Sequence, residues 1–158
     1  MCRGVGTSPS DVLTVETAVE LRRVTDAVIS PAGSHVAYVV SVPRTVDDEP
    51  GPPWSEIWVA SLDGGEPRRF TPAGVESSSP RWSPDGGTIA FLSDRAERHE
   101  ETQIYVIPID GGESSRVTAQ PAGVSELRWA PEGERIAFLA PDRDPAETAE
   151  KEETGTPA

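Results

Sequence analysis

An all-β fold, a partial β-propeller of four-stranded antiparallel blades, is the fold class this sequence predicts, and three observations carry the prediction. The first is a turn motif present in three copies: Ile29-Ser30-Pro31-Ala32-Gly33, Trp82-Ser83-Pro84-Asp85-Gly86 and Trp129-Ala130-Pro131-Glu132-Gly133. The second is the apolar run after each turn: Val36-Ala37-Tyr38-Val39-Val40, Ile89-Ala90-Phe91-Leu92 and Ile136-Ala137-Phe138-Leu139. The third is another hairpin signal, Ile57-Trp58-Val59 leading to Asp63-Gly64-Gly65, then Ile104-Tyr105-Val106 leading to Asp110-Gly111-Gly112. Pro31, Pro84 and Pro131 step by 53 and 47 residues, and Asp63 and Asp110 by 47. Self-similarity at roughly 40–50 residues points to stacked supersecondary units, with the four-stranded blade as the leading form.

Each element follows from its residues. The apolar runs are short, unbroken and rich in β-branched and aromatic side chains, which suits strands covered on both faces. Ala37, Ala90 and Ala137 fall at the same place in each run, where neighbouring sheets would approach closely. Pro31, Pro84 and Pro131 pre-set φ for the second position of a tight turn, and the glycine two residues later ends it. The Asp-Gly-Gly segments form the other hairpin, glycine taking positive φ at little cost. One unit therefore reads strand, Pro-x-Gly turn, strand, variable loop, strand, Asp-Gly-Gly turn, strand.

Counting units gives a first blade over residues 24–71, a second over 80–118 and a half blade over 126–140, within a propeller portion at 14–140. Tyr38 to Trp58 spans 20 residues and Phe91 to Tyr105 spans 14, so one loop absorbs the difference in period. Phe138 lies 20 residues before Ala158, so the next strand is expected about where the sequence ends. Propellers typically close with roughly 4–8 blades; about two and a half are expected to be a piece of one. Residues 1–13 read as a flexible N-terminus. Residues 14–22 read as a short helix with Thr14 as N-cap and Leu13, Val15, Ala18, Val19 and Leu21 as apolar contacts. Residues 44–53, with Asp47-Asp48-Glu49 and three prolines, read as a long exposed loop, and 141–158 as an acidic disordered loop or tail.

Charge excludes one class of partner. The net charge is −13 and Lys151 is the only lysine, whereas nucleic-acid binding needs clustered Lys and Arg. No apolar stretch reaches the ~20 residues of a membrane span, and the start lacks a basic-then-apolar secretory pattern. Cys2 is the only cysteine, which leaves no internal disulfide and no Cys-based metal cluster. Cytoplasm is the expected compartment.

Individual candidates for chemistry read as structure. His35 and His99 lack zinc-ligand spacing and read as surface histidines. Ser83, Asp85, Gly87 and Thr88 loosely resemble the Asp-box turn of sialidase propellers, but Gly87 and Thr88 are adjacent and the other copies lack the Asp and Thr, so they read as turn chemistry. Asp63 and Asp110 stand before Gly-Gly turns with few oxygen neighbours, as turn residues rather than calcium ligands. Trp58, Trp82 and Trp129 hold repeat positions and read as packing residues rather than a ligand platform. There is no Gly-x-Ser-x-Gly elbow, no assembled Ser-His-acid set and no phosphate loop. The expectation is no catalytic, cofactor-binding or metal residue, and no cofactor.

Trp82-Ser83-Pro84-Asp85-Gly86, then Ile89-Ala90-Phe91-Leu92-Ser93-Asp94-Arg95, Gln103-Ile104-Tyr105-Val106 and Asp110-Gly111-Gly112, resembles the TolB-type propeller repeat. The same repeat forms the N-terminal propeller of prolyl oligopeptidase family serine peptidases. The opening from Leu21-Arg22-Arg23-Val24 to Ile29-Ser30-Pro31 is similar to the entry into the first blade of the acylaminoacyl-peptidase and dipeptidyl-peptidase-like branch. The resemblance implies hydrolysis of short peptides in a C-terminal α/β-hydrolase domain that is the partner of this segment, with the propeller restricting access. It carries over no catalytic residue, because none of the family's three catalytic positions occurs here. A TolB-like or stand-alone propeller binding or scaffold module is the alternative.

Overall fold

Tight turns alternate with β-branched runs, and the chain answers with a succession of hairpins. The computed structural model describes residues 22–95 and 101–142. Among them the strands are β1 Arg23–Ile29, β2 His35–Val42, β3 Trp54–Ser61, β4 Arg68–Arg69, β5 Ser77–Trp82, β6 Thr88–Ser93, β7 Gln103–Pro108, β8 Ser115–Arg116, β9 Glu126–Trp129 and β10 Ile136–Leu139. They pair antiparallel in chain order into two four-stranded sheets, β1-β2-β3-β4 and β5-β6-β7-β8, and a two-stranded sheet of β9 and β10. The all-β, blade-by-blade architecture is thus the observed one. The helix expected over 14–22 falls outside the described residues, except for Arg22, which enters β1 as irregular chain.

The repeated turns are built alike. Gly33, Gly86 and Gly133 take φ of 69°, 73° and 78°, a region that favours glycine. Each donates its N–H to the carbonyl three residues back, on Ser30, Ser83 and Ala130, at 2.8, 2.9 and 2.9 Å. The N–H groups of those same three residues close the hairpins onto His35, Thr88 and Arg135, each at 2.8 Å.

Two layers of core lie between the three sheets. Ala37, Val39, Ile57 and Val59 of the first sheet meet Trp82, Ile89, Phe91, Tyr105 and Ile107 of the second. Ala90, Leu92 and Ile104, on the second sheet's other face, meet Val124 and Leu127. Side chains alternate across a strand, so β6 sends Ile89 and Phe91 one way and Ala90 and Leu92 the other. This is the strand covered on both faces that its composition predicts. The inner strands β1, β5 and β9 lie beside one another, and indole N–H groups tie them together. Trp82 Nε1 donates to the Val28 carbonyl and Trp129 Nε1 to the Arg81 carbonyl, both at 3.0 Å. Val28 and Arg81 stand at the same place in successive repeats, so one bond is used twice.

The third apolar run departs from the expectation of an interior strand. Ile136 is half-buried, and Ala137, Phe138 and Leu139 are exposed, the last two by 38% and 59%. Only β9 pairs with β10, and the second sheet covers one face alone. In the first run Ala37 is buried while Val36 and Tyr38 are half-buried.

Candidate functional site

Antiparallel order decides which connections share a face. The entry to β1, the β2–β3 loop, the β4–β5 link, the end of β6 and the exit from β10 lie on one side. The Pro-x-Gly and Asp-Gly-Gly turns lie on the other. On the first side, between the first two sheets, is a cavity of about 260 Å³ whose walls include Arg44, Trp54, Glu76, Asp94 and Arg95.

Arg44 comes from the β2–β3 loop and is held on four sides. Its Nε donates to the Pro52 carbonyl at 2.6 Å and its Nη1 to the Glu49 carbonyl at 3.0 Å. Its guanidinium lies 3.5 Å from the centre of the Trp54 ring, within cation–π range. Gly51 closes the fourth side: a Cβ there would stand 3.0 Å from the guanidinium carbon. Asp48 braces the same loop, its Oδ2 accepting the Thr45 N–H at 2.7 Å and the Thr45 hydroxyl at 2.9 Å. The Thr45 N–H above all, then its hydroxyl and the Arg44 charge, holds the Asp48 carboxyl below its ordinary pKa.

Arg95 approaches from the second sheet, just past β6. Its guanidinium lies 4.9 Å from the ring centres of both Phe91 and Tyr105, which themselves stack at 6.1 Å. Nε donates to Ser93 Oγ at 3.4 Å and Nη1 to Ser114 Oγ. Nη2 is buried with no hydrogen-bond partner. Burial pulls the Arg95 pKa below its ordinary value, with Tyr105 and Asp94 acting against it; a guanidinium stays charged under such a shift. Asp94 Oδ1 is occupied by the Glu76 N–H at 3.1 Å. The ion pairs among the described residues are Arg69–Glu56, Arg81–Asp26 and Arg135–Glu132. Arg44 and Arg95 belong to none of them.

The residues singled out from sequence are placed elsewhere. The Ser83 hydroxyl donates to Asp85 Oδ1 at 2.5 Å, the Gly87 N–H reaches the same oxygen at 3.0 Å, and Ser83 Oγ accepts the Thr88 N–H at 2.9 Å. The Ser83 hydroxyl first, then the Gly87 N–H, lowers the Asp85 pKa. This is turn chemistry. Asp63 and Asp110 are exposed at their hairpins, and no group of three or more His, Cys, Asp or Glu among the described residues could hold a metal. His35 Nδ1 is 2.9 Å from Ser34 Oγ and its ring 6.4 Å from that of Trp82; that serine–histidine contact joins adjacent residues, and no ion pair among the described residues joins the ring to an acid. His99 and Cys2 lie outside the described residues. Trp82 and Trp129 pack between sheets, and Trp58 Nε1 donates to Glu56 Oε2 at 3.1 Å. Among the described residues no helix is long and apolar enough to cross a membrane.

Arg44, Trp54 and Arg95 escaped the sequence reading. The available signal was an Arg and a Trp at the two ends of a loop rich in Pro and Gly.

Residues 54–153 match the family of the Tricorn protease N-terminal beta propeller domain. The chain is 37% identical over 84 residues to an uncharacterized peptidase, YuxL, of Bacillus subtilis, covering 53% of this chain and 12% of that one. It is 32% identical over 94 residues to dipeptidyl-peptidase 5 of Porphyromonas gingivalis, covering 60% of this chain and 13% of that one. It therefore spans about an eighth of the length of these relatives. A TolB structure from Agrobacterium tumefaciens superposes with a TM-score of 0.57 at 25% identity, over 72% of this chain and 37% of the other. An acylaminoacyl peptidase from Pyrococcus horikoshii superposes with a TM-score of 0.60 at 20% identity, over 78% and 18%, a likeness of fold.

Proposed function

The chain belongs to the Tricorn protease N-terminal β-propeller family, and from that premise we propose that it is the access-controlling part of a serine peptidase that cleaves short peptides. The observation that carries this reading is the family match over residues 54–153 together with relatives that are peptidases. In this reading the catalytic serine, histidine and acid belong to a C-terminal α/β-hydrolase domain of the prolyl oligopeptidase type, working in the cytoplasm. The blades supply a stiff wall with fixed gaps. Cores packed as densely as crystals transmit little slack, so an opening between blades passes a short peptide and holds back a long chain. The face that carries the Arg44–Arg95 cavity also carries the entry to β1 and the exit from β10.

A chimera tests the reading. The matching segment of the Porphyromonas dipeptidyl-peptidase 5 is replaced by this one, and turnover of a dipeptidyl nitroanilide is compared with that of unfolded casein. Retained dipeptidyl turnover with casein left intact is the expected result. A folded chimera that degrades casein as readily as the small substrate overturns it. The TolB likeness supports a second reading, a binding module without catalysis; a folded chimera inert toward every peptide favours that one.

A further inference from the structure

We propose that the cavity between the first two sheets is a binding site for a carboxylate carried by a short peptide. The inference rests on the peptidase-access reading for the identity of the ligand as a peptide, and on the cavity's own construction for the carboxylate. Two guanidinium groups, one from each sheet, stand in its walls without an ion-pair partner among the described residues. Both are fixed before any ligand arrives. Arg44 is clamped by two carbonyls, the Trp54 ring and the close passage of Gly51. Arg95 is seated on Phe91 and Tyr105 and tied to Ser93 and Ser114. Pre-organisation of this kind lowers the ordering cost of binding, and a guanidinium fork matches the geometry of a carboxylate.

The hydrogen-bond count leaves room for a ligand at Arg44. Nε and Nη1 spend one donor each on backbone carbonyls, whereas a guanidinium carries five N–H donors. No hydrogen bond among the described residues engages its Nη2. Size sets the scale of what enters. A volume of about 260 Å³ falls just under the roughly 300–1,000 Å³ of sites for drug-sized ligands, so the cavity takes one terminal or side-chain group rather than a whole peptide. Glu76 and Asp94 in the same wall repel a dense anion such as inorganic phosphate more than a singly charged carboxylate. The carboxylate can come from a peptide's C-terminus or from an acidic side chain.

The test uses the full chain and four probes: acetyl-trialanine, its C-terminal amide, acetyl-Ala-Glu-Ala-amide and inorganic phosphate. Binding is read from Arg Nε–Hε resonances and by calorimetry. Acetyl-trialanine is expected to shift the Arg44 resonance and to bind at least tenfold more tightly than its amide. The glutamate peptide separates the sources: binding equal to acetyl-trialanine opens the site to acidic side chains as well as C-termini, and binding equal to the amide confines it to C-termini. Arg44→Gln should abolish the effect. Gly51→Ala keeps every charge yet pushes on the guanidinium, and should weaken binding severalfold; strand amide resonances report that either variant keeps the fold. Equal affinity for acid and amide, no binding of acetyl-trialanine at millimolar concentration, or indifference to both variants overturns the proposal. So does phosphate competing as well as the peptide acid. A failure here with the chimera still excluding casein removes the carboxylate site and leaves the access reading standing. Binding here with a chimera that degrades casein does the reverse.

Discussion

The tetrapeptide Ile-Ala-Phe-Leu occurs twice, as residues 89–92 in β6 and residues 136–139 in β10, and the two copies live in different surroundings. In β6 all four side chains are buried, Ile89, Ala90 and Phe91 to 0% exposure. In β10 Phe138 is 38% and Leu139 59% exposed. Local propensity is identical, and so is the turn that precedes each copy in backbone outline. The difference is the company: β6 has β5 and β7 as ladder partners and a sheet over each face, while β10 pairs with β9 alone. Repeat units gain stability from neighbours more than from themselves. Burial here is a property of position in the stack.

The largest effect that sharpens this comparison is a matched pair of truncations. Phe91→Ala should destabilise by about 3–5 kcal/mol, the cost of a fully buried phenylalanine. It should also loosen Arg95, whose guanidinium rests on that ring. Phe138→Ala, on an exposed strand, should cost about 1 kcal/mol or less. Denaturant titration of both variants checks the pair; equal losses would mean that β10 is covered in solution. Amide exchange adds a second reading, with Ile136–Leu139 expected to exchange faster than Thr88–Ser93.

The indole bonds give the next effect. Trp82→Phe removes the N–H that reaches Val28 and shrinks a side chain that is 9% exposed. Loss of a net hydrogen bond and of packing should together cost about 1–3 kcal/mol. Trp129→Phe removes the same bond to Arg81 from a half-buried residue and should cost about 1 kcal/mol. Thermal melts of the two variants test the order, which a smaller loss at Trp82 than at Trp129 would reverse.

The blade pattern was readable because repetition reports the fold three times over. Pro31, Pro84 and Pro131 with their glycines fixed the turns, and β-branched runs fixed the strands between them. Two things were not readable. The exposure of Ala137 and Phe138 depends on what stacks against them, which no local pattern encodes. The cavity depends on Arg44 folding back over Trp54 and on Arg95 lying across the rings of Phe91 and Tyr105 on two paired strands. Each is a long side chain whose reach is set by tertiary contacts rather than by spacing. The candidates that sequence did raise, Asp85, Asp63, Asp110 and His35, stand out because turns concentrate polar residues.

The smallest effect separates the second turn from the third by pH. Ser83 and Asp85 form a closed set with Thr88 and Gly87, whereas the third turn has Ala130 in place of the serine and Glu132 paired instead with Arg135 at 2.6 Å. The Asp85 pKa is lowered in the folded state, by Ser83 first and Gly87 second. A carboxyl depressed on folding contributes stability above its unfolded pKa of about 4, and that contribution fades as pH falls through the lower folded value. Ser83→Ala removes the main cause of the depression. The variant should therefore be less stable than the parent at pH 7, with the part of the gap due to Asp85 closing as pH drops below about 4. What remains in acid reflects the Thr88 N–H left without the serine oxygen, which does not titrate. Ala130→Ser tests the converse, offering the Arg135 N–H the acceptor that Ser30 gives His35 at 3.0 Å. It should stabilise by about 0.5–1 kcal/mol with no pH dependence of its own, because Glu132 stays with Arg135. Denaturant midpoints across pH 2.5–7 would decide it: a gap for Ser83→Ala that stays constant into acid would mean that Asp85 is not held by the serine.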